Sequence, residues 1–565
     1  MSTDSRSARS LRPRALLWFV LLFVLLGLVR ADSARDRHDE AWTLEPAIGA
    51  LPLPDTPADA VTVDALAARL RADAAHGFGG VIDTLHEPGF MHPPAHHLLL
   101  NAWVRAFGSG RLALRLLGIA LGALALIGLY RLARRLVPHP AAGAWVVGLA
   151  AVAPWFGTVT IILRPYGLAL ATGLWATEAL LAAHERERPD SGRPNAWHLA
   201  FVLLSILGLY ALYHYAFVLA WHGALLCALA WRRAAAGRGL ALGRAVLLML
   251  VVGVAFLPWL PMLRHHLAAT GSAPLYFSGL VPAAEWPARI SQLVDGFLVE
   301  AVVFLWRQPL VAVLLVLQLV TLPLLLLAFR AGVRAEETPA ARTAWLTAPL
   351  LPAFIAAADL AHGTHTLFVT KTGFLLFPLL LLLIVRAWLT APWPALRRWG
   401  PAAWWLLLGA VTAGNLLHER SDAAPEALVA ADLLQPGAES QVVLVNTQHR
   451  GEVFPLVLAL RDAGVTGVRV AQVDEPHLAA AVEAVLSAPG AMRAMLVNVG
   501  ARCQCLMPPT AWSEAALSAV AARAQSLGWA VGWGGPGHAG QLVDRNRALT
   551  ITSPLRGGAR AGDEP

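Results

Sequence analysis

Long apolar runs follow one another along most of the chain, separated by short polar stretches rich in arginine. A membrane-spanning helix needs roughly 20 consecutive apolar residues. By that measure the sequence predicts eleven spanning helices, over 14–31, 112–132, 142–163, 166–184, 196–213, 214–231, 244–262, 309–329, 344–361, 373–390 and 402–417. We therefore expect a polytopic α-helical membrane domain over residues 14–420.

The pattern changes at about residue 421, where short valine-rich runs alternate with segments of helical period. The runs cover 441–446, 468–473 and 494–499. Short apolar runs of this kind are typical of buried strands. Strands that alternate with helices predict an α/β domain with a largely parallel sheet. We expect such a domain over residues 421–565, ending in a polar tail.

Composition agrees with the membrane interpretation, because 57% of the 565 residues are hydrophobic and only 14% are charged. The formal net charge of +8 could suggest a nucleic-acid partner. However, many of the arginines lie at the ends of apolar runs, where they act as orientation signals. We therefore expect membrane lipids, and no nucleic acid, as partners.

Arginines also predict the orientation of the helices, because cytoplasmic loops are enriched in Lys and Arg. Placing residues 1–13 in the cytoplasm gives every predicted inner loop at least three arginines: Arg131, Arg134, Arg135; Arg186, Arg188, Arg193; Arg232, Arg233, Arg238, Arg244; Arg330, Arg334, Arg342; and Arg386, Arg397, Arg398. An odd number of spans then puts the loop 31–111 and the domain 421–565 outside. The arginine- and alanine-rich composition is typical of GC-rich bacteria, so we expect a bacterial cytoplasmic membrane.

The first candidate for chemistry is the sequence RDRHDEAW just after the first predicted span. It contains the adjacent acids Asp39 and Glu40 beside His38. A carboxylate near a low-dielectric surface tends to have a raised pKa, which suits a general base. A solvated cluster of charges just outside the bilayer is the alternative interpretation.

A second candidate is the stretch HEPGFMHPPAHHLLLNAW, which crowds histidines and prolines at the edge of the apolar region. Pro93 and Pro94 suit the first turn of a short interfacial helix. His92 and His96, four residues apart, could then converge. They are candidate ligands, with His38, of a divalent metal, or they form a hydrogen-bonded wall of a donor pocket; no cofactor is certain from the sequence.

Further polar residues lie at predicted outer helix ends. Arg164 and Tyr166 lie between the third and fourth predicted spans, and His214 lies between the fifth and sixth. Lys371 precedes the tenth span and is the only lysine in the sequence. Each can bind a phosphate or a substrate, or can simply anchor its helix at the membrane interface.

Several of these motifs, in this order, resemble the membrane glycosyltransferases of the GT-C fold. They resemble more narrowly the bacterial relatives of protein O-mannosyltransferases and of lipid A aminoarabinose transferase. The resemblance covers roughly residues 14–390 and rests on Asp39–Glu40, His92–Pro93–Pro94, Phe107–Gly108 and Arg115. It implies sugar transfer from a polyprenyl-phosphate donor to a lipid, glycan or protein acceptor, with Asp39 as the catalytic base.

Two positions depart from the resembling families. Lys371–Thr372 stands where relatives often have Arg-Tyr, and no second acid accompanies Arg164. A non-enzymatic scaffold, or a transporter of a lipid-linked saccharide, remains the alternative function. A transporter usually places charges near the bilayer centre, whereas the candidate residues here gather at predicted helix ends.

Overall fold

The computed structural model describes the following residues: 5–33, 38–49, 59–69, 76–87, 90–187, 195–233, 235–270, 279–298, 338–421, 441–446, 467–487, 493–498, 513–533 and 549–552, with single positions at 323 and between 456 and 465. Apart from position 323, the predicted span 309–329 lies outside them.

Helices make up most of the described chain. They are α1 (Ser5–Ser33), α2 (His38–Ile48), α3 (Val63–Arg69), α4 (Phe78–Leu85), α5 (Ala95–Phe107), α6 (Arg111–Leu136), α7 (Ala142–Val152), α8 (Pro154–Ile161), α9 (Tyr166–Glu185), α10 (Ala196–Ala211), α11 (Tyr215–Trp231), α12 (Ala235–Phe256), α13 (Leu260–Thr270), α14 (Trp286–Leu298), α15 (Pro339–Thr347), α16 (Leu350–His362), α17 (Leu376–Leu389), α18 (Pro394–Ser421), α19 (Leu478–Ser487) and α20 (Glu514–Ser526).

Six helical segments in the described part of the chain are long and apolar enough to cross a membrane, so the chain is a multi-pass membrane protein. They are Arg14–Ala31, Arg111–Leu136, Tyr166–Glu185, Gly237–Ala268, Pro339–His362 and Pro394–Leu417. The predicted spans 196–213, 214–231 and 373–390 correspond to the shorter apolar helices α10, α11 and α17. The described part of the chain therefore supports six or seven full-length spans, and the predicted number of eleven is not confirmed.

The third predicted span, 142–163, is not one straight helix. It consists of α7 and α8, which meet at a bend of 68°. Pro154 is the first residue of α8, and its ring removes a backbone N–H and disfavours helical geometry at the preceding residue. Ala153 accordingly has an extended conformation, with φ −73° and ψ 127°. The apolar run thus continues through a break that its hydrophobicity alone does not reveal.

The helices α2 to α5 lie together at one end of the bundle, which we call the loop end. At the opposite end, Glu178 of α9 is buried and binds both Arg131 and Arg135 of α6. There also Glu187 binds Arg233 and Arg244. Arginines of two predicted inner loops therefore lie at one end of the bundle.

Side chains fix α2 against the other loop-end helices. Asn101 of α5 donates to the carbonyl oxygen of Ala47 at 2.7 Å, and the ring of His76 hydrogen-bonds to that of Pro46 at 2.9 Å. The last carbonyls of a helix have no partner within the helix. These two bonds satisfy such carbonyls and so tie the C-terminal end of α2 to α5.

A six-stranded sheet, in the order β1-β3-β2-β4-β6-β5, is formed mainly by the C-terminal part of the chain. The strands are β1 (Val61–Thr62), β2 (Gln441–Asn446), β3 (Arg469–Gln472), β4 (Arg493–Asn498), β5 (Ala530–Trp533) and β6 (Leu549–Thr552). Among the described strands only β2–β3 and β2–β4 pair in parallel, so the sheet is mixed and the prediction of a largely parallel sheet is wrong. Antiparallel neighbours need no helical crossover between them, which allows β5 and β6 to complete one edge.

The edge strand β1 comes from the loop between the first two spans and pairs antiparallel with β3. Beneath this pairing one apolar core joins the two parts of the chain, with Val63, Leu66 and Leu100 packed among residues such as Val443 and Val470. The loop and the C-terminal domain therefore lie on the same side of the helical bundle. An even number of crossings must separate them, as in the predicted arrangement.

Candidate functional site

The acidic pair predicted from the sequence lies in the first turn of α2. The side chains of Asp39 and His38 lie outside the described residues, so the structure gives only their place on this helix. Contacts of Asn101 and His76 hold the C-terminal end of α2, and those of Glu40 hold its first turn. The backbone of Asp39, which lies beside Glu40, is therefore held in place as well. Its role as the base stays a prediction.

Glu40 is buried in an ion pair with Arg115 of α6, and each of the two residues is only 2% exposed. Both terminal guanidinium nitrogens donate to the carboxylate, one of them at 2.6 Å. The backbone N–H of Leu163 donates to the same carboxylate at 2.9 Å. A bidentate pair with an added backbone donor has a strict geometry. Glu40 therefore holds α2 to the second span and to the segment that precedes Arg164.

The segment after α8 can reach this ion pair because α6 has a glycine at the crossing. A Cβ on Gly118 would lie 2.2 Å from the carbonyl oxygen of Thr160. The close approach brings the carbonyl of Ile161 to 3.3 Å from the Arg115 guanidinium. A small residue at a helix crossing thus positions the backbone around the acidic pair.

We expect Glu40→Ala to lower the stability of the protein by about 3–5 kcal/mol, because it leaves the Arg115 charge buried and unpaired. The measurement is thermal unfolding in detergent. Glu483→Ala removes a carboxylate from an exposed pair with Arg523 and is the matched control, with an expected loss of about 0–1 kcal/mol. Equal losses in the two variants would show that the Glu40 pair does not hold α2 in place.

Three histidines cluster at the start of α5. The ring of His97 lies 6.2 Å from that of His92 and 6.0 Å from that of His96, measured between ring centroids. His97 Nδ1 donates to the carbonyl of Pro93 at 3.3 Å, so its Nε2 is an acceptor in the neutral ring. Neither ring nitrogen of the buried His96 has a hydrogen-bond partner among the described residues.

These rings are neutral near pH 7. Burial is the main cause that lowers the pKa of His97, to about 3, and the nearby Arg164 guanidinium lowers it further. Burial also lowers the pKa values of His92 and His96, again with a contribution from Arg164. The histidines therefore act here as neutral hydrogen-bonding groups, and the positive charge beside them belongs to Arg164.

The divalent metal predicted as one alternative has no ready site in the described part of the chain. No three His, Cys, Asp or Glu side chains converge there as a metal-binding group. The described histidines therefore do not fit a metal by themselves. Because the side chain of His38 is outside the described residues, a metal that uses it stays a prediction.

Arg164 links the acidic pair to the histidines. It follows Leu163, whose N–H binds Glu40, and its guanidinium lies 3.4 Å from the hydroxyl of Thr43 on α2. The guanidinium carbon also lies 6.0 Å from the ring centre of Tyr166, the first residue of α9. The predicted Arg164–Tyr166 pair thus lies beside α2 and within electrostatic range of the three histidines.

His214 connects this cluster with the turn that carries Lys371. Burial lowers the pKa of His214 to about 4, while Asp359 acts in the opposite direction. His214 in turn contributes to the lowered pKa of His92. Asp359, at the end of α16, was not among the residues predicted from the sequence, since it lies within an apolar run.

Lys371 lies in the turn between the 3₁₀ helix Thr366–Phe368 and α17. Its neighbour Thr372 is buried and donates to the carbonyl oxygens of Thr366 at 2.5 Å and Val369 at 2.8 Å. The threonine that departs from the resembling families therefore closes this turn. Lys371 itself is partly exposed.

A second interaction that sequence reasoning missed holds α4 to α13. His266 Nε2 donates to the carbonyl of Leu85 at 2.9 Å, so its Nδ1 in the neutral ring accepts from the Tyr213 hydroxyl, also at 2.9 Å. Tyr213 accepts in turn from Trp259 Nε1 at 2.9 Å. His265 adds a bond to the carbonyl of His86 at 3.0 Å. This chain of bonds fixes the segment that leads into the histidine cluster.

Residues 91–260 match the family model described as dolichyl-phosphate-mannose-protein mannosyltransferase. The match confirms the resemblance to membrane glycosyltransferases. It includes the histidine cluster, Arg115, Arg164 and His214, whereas Asp39 and Lys371 lie outside the matched residues. No curated protein matches the chain in sequence.

Solved structures of membrane transferases align with much of the chain. ArnT from Cupriavidus metallidurans, bound to undecaprenyl phosphate, is 15% identical over 97% of this chain and 99% of that chain, with a TM-score of 0.46. AglB, an archaeal oligosaccharyltransferase from Archaeoglobus fulgidus in complex with an inhibitory peptide and a dolichol-phosphate, is 12% identical over 85% and 69%, with a TM-score of 0.44. The S. cerevisiae protein O-mannosyltransferase Pmt1-Pmt2 complex, bound to the sugar donor, is 16% identical over 53% and 39%, with a TM-score of 0.28. These similarities assign no role to any residue of this chain.

Proposed function

We propose that the protein is a glycosyltransferase that transfers a sugar from a polyprenyl-phosphate donor to a lipid, glycan or protein acceptor. The observation that carries the proposal is the grouping of the predicted residues at the loop end. The acidic pair on α2, Arg164, the histidine cluster and His214 form one continuous neighbourhood, and Asp359 extends it to the Lys371 turn. The family match over residues 91–260 supports the same function.

The proposed reaction is a displacement at the anomeric carbon. Asp39 takes the proton of the acceptor hydroxyl as the acceptor oxygen forms a bond to that carbon. The bond between the anomeric carbon and the phosphate oxygen breaks, and its electron pair leaves with the polyprenyl phosphate. Arg164 and Lys371 are the cations for this leaving group. Glu40 positions α2 through Arg115, and the neutral histidines supply hydrogen bonds to the bound donor.

We further propose that the reaction takes place outside the cytoplasm of a bacterial cell. The carboxylates and cations of the site lie at the loop end, while the paired arginines of two predicted inner loops lie at the opposite end. This distribution agrees with the enrichment of arginine on the cytoplasmic side of membrane proteins.

Reporter fusions test this orientation. We expect fusions at Gly239 and Gly332 to report the cytoplasm and a fusion at Ala423 to report the outer side, because an odd number of spans separates the termini of the membrane domain. Alkaline phosphatase and a fluorescent protein give opposite signals on the two sides and control for each other. A cytoplasmic signal at Ala423 would contradict the proposed placement of both the domain and Asp39.

Lipid-linked sugar profiling in a deletion strain tests the function itself. The expected result is accumulation of one polyprenyl-phosphate sugar, identified by mass spectrometry and removed by the parent gene but not by Asp39→Asn. Loss of a transporter would instead leave the sugar on the cytoplasmic face, where periodate cannot oxidise it in intact spheroplasts. An unchanged lipid profile, or accumulation confined to that inner face, would overturn the proposal.

A further inference from the structure

Asp359 is a buried carboxylate at the loop end of an otherwise apolar helix, and the proposed reaction does not use it directly. It is 6% exposed and lies in α16, which forms the second part of the candidate membrane span Pro339–His362. Ionisable groups in such segments are expensive to bury and are usually paired. The hydrogen bonds of Asp359 therefore indicate why this position is acidic.

All three described hydrogen bonds of its side chain run to the segment just after α16. Oδ1 accepts from the Thr364 hydroxyl at 2.6 Å and from the Thr366 N–H at 2.8 Å. Oδ2 accepts from the Leu367 N–H at 2.8 Å. The carboxylate thus binds the first N–H groups of the 3₁₀ helix Thr366–Phe368, which have no partner within that helix.

The same segment leads directly to Lys371. Gly363 ends α16 in the left-handed conformation, with φ 66° and ψ 41°, and the chain then reverses towards the carboxylate. Thr372 closes the following turn by donating to the carbonyl of Thr366. Asp359 and Thr372 therefore hold opposite sides of one turn, and Lys371 lies within it.

We propose that Asp359 is a positioning residue that fixes the Lys371 turn to the C-terminal end of α16. Only one part of this proposal rests on the proposed function, namely that Lys371 binds the phosphate of the donor. The three bonds require an acceptor at each carboxylate oxygen. An asparagine has one acceptor oxygen and one NH₂ donor. In one orientation its NH₂ group faces the N–H of Leu367, and in the other it faces the Thr366 N–H and the Thr364 hydroxyl. The turn should then open more often.

The single lysine of the chain permits a test that does not depend on activity. Endoproteinase Lys-C cleaves after lysine, so it can cut this protein only after Lys371. We expect Asp359→Asn in detergent to be cleaved on the order of tenfold faster than the parent, because local opening exposes the turn. Asp83→Asn, which changes an exposed aspartate of α4, is the matched control and should leave the cleavage rate unchanged.

Thr364→Val is the second variant, in case Asp359→Asn does not fold. It removes one of the three bonds and should raise the cleavage rate less. Both variants must keep the parent's thermal unfolding profile for the comparison to apply to a folded protein. Cleavage of folded Asp359→Asn and Thr364→Val at the parent rate would overturn the proposal.

Turnover separates positioning from a general structural role. If Asp359 acts through Lys371, Asp359→Asn should lower kcat with little change in the acceptor KM, and it should lower kcat much less in a Lys371→Met background. Equal losses in both backgrounds would overturn the inference. Full activity of Lys371→Met would instead refute the phosphate role of Lys371, and Lys-C cleavage would still decide whether Asp359 holds the turn.

Discussion

Asp39→Asn is expected to leave the protein folded and inserted and to remove sugar transfer. A carboxamide cannot take the proton of the acceptor hydroxyl, and a positioned general base typically contributes about 10²- to 10⁴-fold to the rate. The fold should survive, because the contacts that hold α2 come from Glu40, Asn101 and His76. The measurement is sugar transfer from purified donor lipid in proteoliposomes.

Asp64→Asn is the matched control for this prediction. Asp64 is an exposed aspartate of α3 in the same loop, and its replacement should leave transfer at the parent rate. A pH profile adds a second readout, because the rate of the parent should fall as acid protonates the base. Transfer by Asp39→Asn at a rate near that of the parent would show that another group takes the proton.

Much of the fold could be predicted because a lipid environment restricts the structures available to the chain. Apolar runs must form helices that satisfy their own backbone, so α1, α6 and α9 follow from hydropathy alone. The strands β2, β3 and β4 follow from short valine-rich runs. The bend at Pro154 was missed because both halves of the run are apolar, although the proline itself was a visible signal.

The pairing of β1 could not be predicted, since two residues give no periodic pattern. Val61 and Thr62 form a strand only because β3 presents an open edge to them, and β3 lies more than 400 residues later in the sequence. Pairings of this kind depend on tertiary contacts, as strand propensity generally does. The link between the loop and the C-terminal domain is therefore a property of the folded chain.

The candidate site was predictable where a polar residue stands at a helix end, as Arg164 and His214 do. The partners of these residues were harder to predict. Glu40 resembled a second catalytic acid by its position beside Asp39, but the structure pairs it with Arg115 of α6. Asp359 escaped notice because it lies inside an apolar run, and it binds the turn that follows its own helix. His266 lies just after an apolar run, and its hydrogen bond reaches Leu85, which is distant in sequence.

Lys371→Met and Arg164→Ala are each expected to lower turnover by on the order of 10²- to 10³-fold, the usual cost of removing one charge-stabilising donor from a shielded site. Negative charge grows on the leaving phosphate as the glycosidic bond breaks, so a fixed cation stabilises the transition state more than the ground state. The acceptor KM should change less than kcat. Lys371→Arg should retain more activity than Lys371→Met, because it keeps the charge.

Spectroscopy of the single lysine can show whether Lys371 binds the phosphate at all. With ¹⁵N-lysine, or after reductive methylation with ¹³C, the folded protein should give one side-chain NMR signal from position 371. Undecaprenyl phosphate should shift that signal if the ammonium binds the phosphate, whereas undecaprenol, which has no phosphate, should not. His86→Ala changes an exposed histidine of the same loop end and should alter neither the signal nor turnover. If Lys371→Met turns over as fast as the parent and undecaprenyl phosphate leaves the signal in place, the lysine only anchors its helix at the interface, and Arg164 must neutralise the leaving group with other residues.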